Sequence, residues 1–276
     1  MSPPMSNHIT APKRRRKSRI GDWALFGFAG IVAITLIAPL LIIIPMSFSD
    51  AQSFAFPPRG LSLRWYENLF TEEAWYRGAL QSVGIATLVT ILSLVLGTMA
   101  ALGVSRLKGF TQATISALIL SPMILPTVVS GVGIYAVFLK WHLTANYLGF
   151  VLAHTALAVP FVLTTVAAAL KTFDRTLEYA AASCGATPMA TFVHVTLPCI
   201  RPALASGALF AFIASFDEVV IAQFLGGPEL KTLPVQMFTS VYVDSDPTLA
   251  AASTVIIAVT SIAIFIVMQA NRRRGL

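Results

Sequence analysis

Charge is what this chain has least of. Lys, Arg, Asp and Glu together account for 11% of 276 residues, and 56% are hydrophobic. Ordinary soluble domains carry roughly 25% charged residues, so a water-soluble globule is excluded and a polytopic membrane protein is implied. Cysteine is scarce too. Cys184 and Cys199 are the only two, with no metal-ligand spacing around them, and they read as small apolar residues in a reducing compartment. No lysine follows a glycine anywhere. The Gly-Lys-Ser/Thr end of a phosphate-binding loop is therefore missing, which excludes nucleotide hydrolysis by this chain. The four histidines are scattered, and no Ser, His and carboxylate recur in a recognisable order. The expectation is a non-enzyme with no catalytic, cofactor or metal site.

What is present is long apolar runs. About 20 apolar residues are needed to cross a bilayer, and six stretches qualify: roughly 23–48, 82–104, 114–139, 147–170, 202–225 and 248–268. Pro39 interrupts the first, Pro122 and Pro126 the third, and Pro160 the fourth; membrane helices tolerate such kinks when neighbours satisfy the freed carbonyls. The net charge of +7 and the run "KRRRKSR" (Lys13 to Arg19) could suggest nucleic acid. That run directly precedes the first span, however, where a basic flank is the expected cytoplasmic anchor, so no nucleic-acid partner is expected. A cleaved signal peptide would have an apolar core of about 7–15 residues; Trp23 to Phe48 is far longer, and reads as an uncleaved helix. With both termini cytoplasmic, fourteen Lys and Arg residues fall inside and five outside. The positive-inside rule sets this orientation. The organisation is then a basic tail at 1–22, one six-helix transmembrane domain at 23–270 and a short tail at 271–276.

Polar residues stand out against this background. "ASFDEVVIA" places Asp217 and Glu218 inside the fifth span. A carboxylate at a helix centre costs about 2.5–3.5 kcal/mol on insertion scales, so at least one must face protein or water. A negatively charged ring beneath the outer mouth suits a cationic solute; a structural interhelical bond or a gating contact is the alternative. His154 reads as a neutral imidazole bonded across helices. Tyr135, with Ser121, Thr127 and Ser130, could line a passage along the Pro-broken third span, although small and hydroxylic residues also serve helix packing. In the outer loop 49–81, "LSLRWYENLF" suits an amphipathic helix with Trp65 and Tyr66 at headgroup depth. A surface-packed connector fits equally well. The loop 226–247 is rich in turn formers and is expected to fold back against the bundle mouth.

The cytoplasmic loop 171–201 contains "EYAAASCGATPMATFVHVTLP". Leu177 and Ala180 to Ala182 favour a helix, and Gly185 is placed to end it in a left-handed conformation. Thr187 as N-cap and Pro188 at the first helical position then restart one, expected to stop near Pro198. Met189, Phe192 and Val193 lie at i, i+3 and i+4, a single apolar stripe. Such a stripe must bury against its own bundle, the lipid interface or another protein.

This stretch resembles the cytoplasmic signature of inner-membrane permeases of ATP-binding-cassette importers. That pattern runs Glu-Ala-Ala, three residues, Gly, nine residues, Ile, one residue, Leu-Pro. Here Ala180, Ala181, Gly185, Leu197 and Pro198 match in register. Tyr179 stands where the usual Glu would be, with Glu178 one position early, and Val195 replaces Ile. "SLRWYENLF", "SPMILPTVVSGVG" and "SFDEVVIAQFLGGPELKTLP" extend the resemblance to the polyamine, opine and phosphonate branch, most closely its second spermidine/putrescine-type permease. The resemblance implies an all-α fold of six transmembrane helices, the type I importer permease fold, in the bacterial inner membrane. It implies that Glu178, Tyr179, Ala180, Ala181, Gly185, Thr187, Pro188, Met189, Phe192, Leu197 and Pro198 form a coupling helix docked on a cytoplasmic ATPase dimer. That partner handles ATP and Mg. It also implies a second permease subunit, forming a heterodimer, and an outer solute-binding protein. The solute is expected to be a small cationic amine, with 4-aminobutyrate, an opine or a phosphonate open, and Asp217, Glu218 and Tyr135 as its pathway. An ion-coupled secondary transporter using Asp217 and Glu218 is the competing class, although no inverted repeat supports it. A channel is the third, without an Arg-rich voltage-sensing span or a filter sequence.

Overall fold

A computed structural model describes residues 19–52, 54, 56–244 and 246–273. Most of the expected N-terminal tail and the last three residues of the C-terminal one lie outside these. The chain forms α1 (Arg19–Ser47), α2 (Arg64–Thr71), α3 (Glu73–Val104), α4 (Gly109–Ile124), α5 (Thr127–Lys140) and α6 (Tyr147–Thr172). It continues with α7 (Thr176–Ser183), α8 (Pro188–Thr191), a π-helical turn (Phe192–Thr196), α9 (Leu197–Phe216) and α10 (Val220–Leu225). Then come α11 (Leu233–Thr239), a second π turn (Ser240–Asp244) and α12 (Thr248–Arg273). Extended pairing among the described residues is limited to one isolated bridge, Ser49 to Leu61. The all-α expectation holds. Among the described residues four helices are long and apolar enough to cross a membrane, five if α4 and α5 count as one broken span, and α12 adds the shorter apolar stretch Thr248–Ile262.

The core lies where α3, α6 and α9 pack on one another. Small residues Ser93, Gly97 and Ala101, one helical turn apart on α3, are all buried, and such a row lets helix backbones approach closely. Val162, Val166 and Ile200 fill the space around it. At 32 residues α3 is about 48 Å long, well beyond the ~30 Å hydrocarbon layer. The excess length carries Trp75, in its first turn, to the loops at that end.

Two spans depart from expectation. The third is not one kinked helix: α4 and α5 meet at 100°. Pro126 drives the residue before it out of the helical region, and Leu125 (ψ 138°) and Pro126 (ψ 131°) are both extended, while Pro122 stays within α4. The fifth span, expected over 202–225, begins earlier and ends sooner, running without interruption from Pro188 to Phe216. The helix does not stop at Pro198. The π turn just before it, with Leu197 N–H donating to Phe192 O, widens the backbone where a proline ring would otherwise press on the carbonyl one turn back.

Hydrogen bonds sort the connecting segments into two ends. Arg175 Nη2 donates to Ser105 O at 2.9 Å, tying the 173–187 loop to the α3–α4 turn. At the other end Gln81 Nε2 donates to Glu229 O at 2.8 Å and Lys231 N–H donates to Gln81 Oε1 at 2.9 Å. Leu233 N–H donates to Ser82 Oγ at 2.8 Å, and Trp75 Nε1 to Asp246 Oδ2 at 3.0 Å. Ala145 N–H donates to Leu225 O at 2.7 Å. The 226–247 segment thus folds back on the bundle mouth, as its turn formers suggest.

Candidate functional site

The elbow between α7 and α8 is built by local chemistry. Cys184 caps α7, and Gly185 follows with φ +82°, a conformation glycine adopts at no steric cost. Gly185 N–H donates to Ala182 O at 2.9 Å and Ala186 N–H to Ala181 O at 3.0 Å. This pair of bonds is a Schellman motif, which satisfies carbonyls the helix end leaves open. Thr187 then caps α8, its Oγ1 accepting from Ala190 N–H at 3.3 Å, and Pro188 takes the first helical position. At the start of the loop Asp174 accepts from Thr176, and those bonds hold its carboxyl below the usual carboxylate range.

Glu178 clamps this elbow. Its Oε1 accepts from the Thr196 hydroxyl at 2.6 Å, joining α7 to the π turn. Thr196 is buried, so the bond satisfies a hydroxyl that water does not reach. Tyr179, one position later, projects outward at 70% exposure. The carboxylate one position early thus holds an internal contact of its own. Ala180 is exposed and Ala181 partly covered; Leu197 and Pro198 are half-buried where the loop enters α9. Of the apolar stripe, Phe192 is half-buried, whereas Met189 is 70% exposed and Val193 is exposed as well. Met189 therefore does not fold back onto its own bundle.

Asp217 and Glu218 do not sit inside a helix, contrary to expectation. α9 ends at Phe216, Asp217 is its C-cap with its N–H donating to Ile213 O at 2.9 Å, and α10 starts only at Val220. Glu218 Oε1 accepts from Ile221 N–H at 2.9 Å. Carboxylates compete with the backbone for its own donors and are stabilised at a helix N-terminus, so Glu218 helps make the break that it occupies. Glu218 is half-buried and committed to that cap; Asp217 is exposed.

Tyr135 on α5 meets the segment that follows. Its ring lies 6.3 Å from that of Phe224 on α10. Gly131, one turn earlier, permits the approach: a Cβ there would lie 2.7 Å from Phe224 Cδ2. Ser121 bonds its own helix, Oγ donating to Leu118 O at 2.8 Å, and Thr127 is exposed. His154 is fully buried, with Nδ1 3.0 Å from Ser215 Oγ and 3.2 Å from Ser215 O. It joins α6 to the last turn of α9, the interhelical bond its position suggests. Sequence reasoning missed Thr196, the Gln81 and Ser82 clasps, and the Trp75–Asp246 bond. Only Trp75 carried a signal, as a polar-tipped aromatic near a span's end.

Trp65 and Tyr66 fit the surface-packed connector, one of the two readings of this loop. α2 forms as an amphipathic helix, but Trp65 is buried with Nε1 donating to Ser49 O at 2.8 Å. Tyr66 Oη shares a hydrogen bond with Ser47 Oγ at 2.7 Å. Both polar tips lock α2 to the end of α1, because buried N–H and O–H groups require partners.

Comparison with known proteins places this geometry. Residues 93–274 match the family described as binding-protein-dependent transport system inner membrane component. The chain is similar to the putrescine transport system permease protein PotI of Escherichia coli K12, 33% identical over 84% of each chain. It is also similar to the spermidine/putrescine transport system permease protein PotC of Haemophilus influenzae, 28% identical over 90% of this chain and 96% of that one. Among solved structures it resembles a chain of a bacterial ABC transporter involved in import of the acidic polysaccharide alginate. The TM-score there is 0.72 at 18% identity, covering 94% of this chain and 99% of the other.

Proposed function

The chain belongs to the family of binding-protein-dependent transport system inner membrane components, and from that premise we propose how it couples and what it carries. It is a multipass permease subunit of an ATP-binding-cassette importer. The elbow end is cytoplasmic: it gathers Arg106, Lys108, Lys171, Arg175 and Arg201, in keeping with positive-inside asymmetry. There Met189, Val193 and the Gly185 bend form a knob that seats in a cytoplasmic ATPase subunit, which binds ATP and Mg in trans. Glu178 holds the knob's shape from within. A second permease completes the passage, and an outer solute-binding protein delivers cargo to the opposite end.

The cargo is a small amine of the putrescine–spermidine class. The named relatives are permeases of putrescine and spermidine/putrescine systems, and the exposed carboxylate of Asp217 at the α9–α10 break suits a cation. The fold is shared with an importer of an acidic polysaccharide, so cargo charge follows from side chains such as Asp217 and not from the architecture. One observation carries the coupling reading: an apolar residue, Met189, held exposed on a tip whose turn is closed by its own Gly185 and Ala186 hydrogen bonds.

Uptake of labelled putrescine into proteoliposomes holding the complete assembly tests this. The expected result is uptake that requires ATP on the ATPase side, survives collapse of proton and sodium gradients, and weakens in Asp217→Asn without loss of ATPase association. Uptake that persists without ATP and stops on gradient collapse assigns the chain to ion-coupled transport instead.

A further inference from the structure

A helix that stops leaves its last carbonyls without donors, and α9 stops at Phe216, inside the protein. Asp217 N–H takes Ile213 O at 2.9 Å. Ser215 O gains no such partner from the backbone that follows, because the chain has left the helix at Asp217 and α10 starts only at Val220. Ser215 is buried, and an unpaired carbonyl in a buried residue is costly.

The missing donor comes from another helix. His154 on α6 is fully buried, with Nδ1 3.2 Å from Ser215 O and 3.0 Å from Ser215 Oγ. Phe150, one turn earlier on α6, packs against the imidazole at 5.7 Å between ring centroids. A charged ring within a span is expensive, so the imidazole carries one N–H. The bonds on offer decide which nitrogen holds it. Nε2 is buried without a hydrogen-bond partner among the described residues. A proton there would orphan an N–H and leave Ser215 O open as well. A proton on Nδ1 satisfies the ring donor and the carbonyl together, and wastes only a ring lone pair.

The same helix holds the far end of the broken segment. Ala145 N–H, just ahead of the α6 N-cap Asn146, donates to Leu225 O at the end of α10 at 2.7 Å. Residues 217–224 are thus slung between two ties to α6. Within them Glu218 commits its carboxylate to Ile221 N–H at 2.9 Å, and Asp217 is exposed.

We propose that His154 is a positioning residue for Asp217. Its Nδ1–H caps α9 from α6, fixes where that helix ends, and so fixes where the Asp217 carboxylate is presented to the solute. This rests on the reading of Asp217 as a pathway residue. A packing role would need only the bulk of the ring; a positioning role needs a donor at the place of Nδ1. An Asn side-chain nitrogen reaches that place, a Gln nitrogen lies one bond farther out, and Leu has no donor.

The test is ATP-driven uptake of labelled putrescine by proteoliposomes holding the complete assembly, in a double-mutant cycle with Asp217→Asn. The expected result is a loss of about tenfold in His154→Leu, the scale of leaving one buried acceptor unsatisfied. His154→Asn retains most of the uptake and His154→Gln little. In the Asp217→Asn background His154→Leu adds little further loss, because the charge that it positions is already gone. Losses that multiply mark a merely structural role and overturn the proposal. So does equal uptake in His154→Asn and His154→Gln, which is the deciding comparison should His154→Leu fail to assemble. Nitrogen-15 NMR of ring-labelled histidine reads the cap separately: the signal lost in His154→Asn should belong to an Nδ1–H ring, and an Nε2–H ring overturns the proposal. If Asp217→Asn transports like wild type, the pathway reading of Asp217 fails and the positioning role falls with it, even with an Nδ1–H ring. If Asp217→Asn is impaired and His154→Leu is not, the positioning role alone fails.

Discussion

Replacing Gly185 separates backbone shape from side-chain bulk at the elbow. The residue has φ +82°, and a Cβ added there meets no atom of the described residues within 4 Å. Any harm from a larger residue therefore arises from the left-handed backbone. That conformation costs an ordinary L-residue roughly 1–2 kcal/mol, with a β-branched residue at the upper end. At about 1.4 kcal/mol per tenfold, Gly185→Val depopulates the Schellman turn by roughly 5–30-fold. Asn tolerates this region far better than most residues, so Gly185→Asn stays within a few-fold of wild type. The assay is the affinity of the purified ATPase for the detergent-solubilised permease pair, alongside ATP-driven putrescine uptake in proteoliposomes. Both readouts should fall in the order Gly, Asn, Ala, Val, while insertion and core stability stay unchanged. Wild-type affinity in Gly185→Val would falsify the claim that the bent tip is what the ATPase grips. Equal damage from Asn and Val would show instead that the partner fills the space around the glycine.

Three further outcomes are expected. Glu178→Ala leaves the buried Thr196 hydroxyl without its 2.6 Å acceptor, a loss of about 1–3 kcal/mol; hydrogen exchange across 176–196 should rise, and adding Thr196→Val should recover part of the protection. Glu218→Ala removes the cap on Ile221 N–H at about 1 kcal/mol, whereas Glu218→Gln keeps an acceptor and should transport better than Ala; an uptake defect in Gln as large as that in Ala would assign Glu218's charge to the solute and not to the cap. Trp75→Phe keeps the fully buried ring but loses the donor to Asp246, lowering thermal stability in detergent by about 1.5–3 kcal/mol; Asp246→Asn should lower it less.

Local rules of helix ends carried over from sequence to structure almost unchanged. Gly185 and the Thr187-Pro188 restart are set by the φ preferences and capping groups of three residues, and no distant contact revised them. The apolar runs were equally legible, because hydrocarbon length alone demands a helix. What could not be read was the consequence of packing. Pro122 and Pro126 look alike in sequence, yet one stays within α4 and the other marks a 100° turn. Nothing in "SFDEVV" announces a helix end, as it contains neither Gly nor Pro; the break emerges when Glu218 turns back to cap Ile221. Pro198 was expected to end a helix, and the π turn absorbed it. Trp65 and Tyr66 fit an interfacial belt by composition, but the chain ends they touch, Ser49 and Ser47, become neighbours only when the loop folds. The Trp75–Asp246 bond spans 171 residues and leaves no trace in either segment.

The proline-bridging π turn has a mechanical consequence. Because it carries the helix through Pro198, Pro188 and Phe216 are opposite ends of a single shaft about 43 Å long, 29 residues at helical rise. A displacement of the Met189 end is therefore carried along one continuous helix toward Asp217, and the five-residue widening in it is tied to α7 through the Glu178–Thr196 bond.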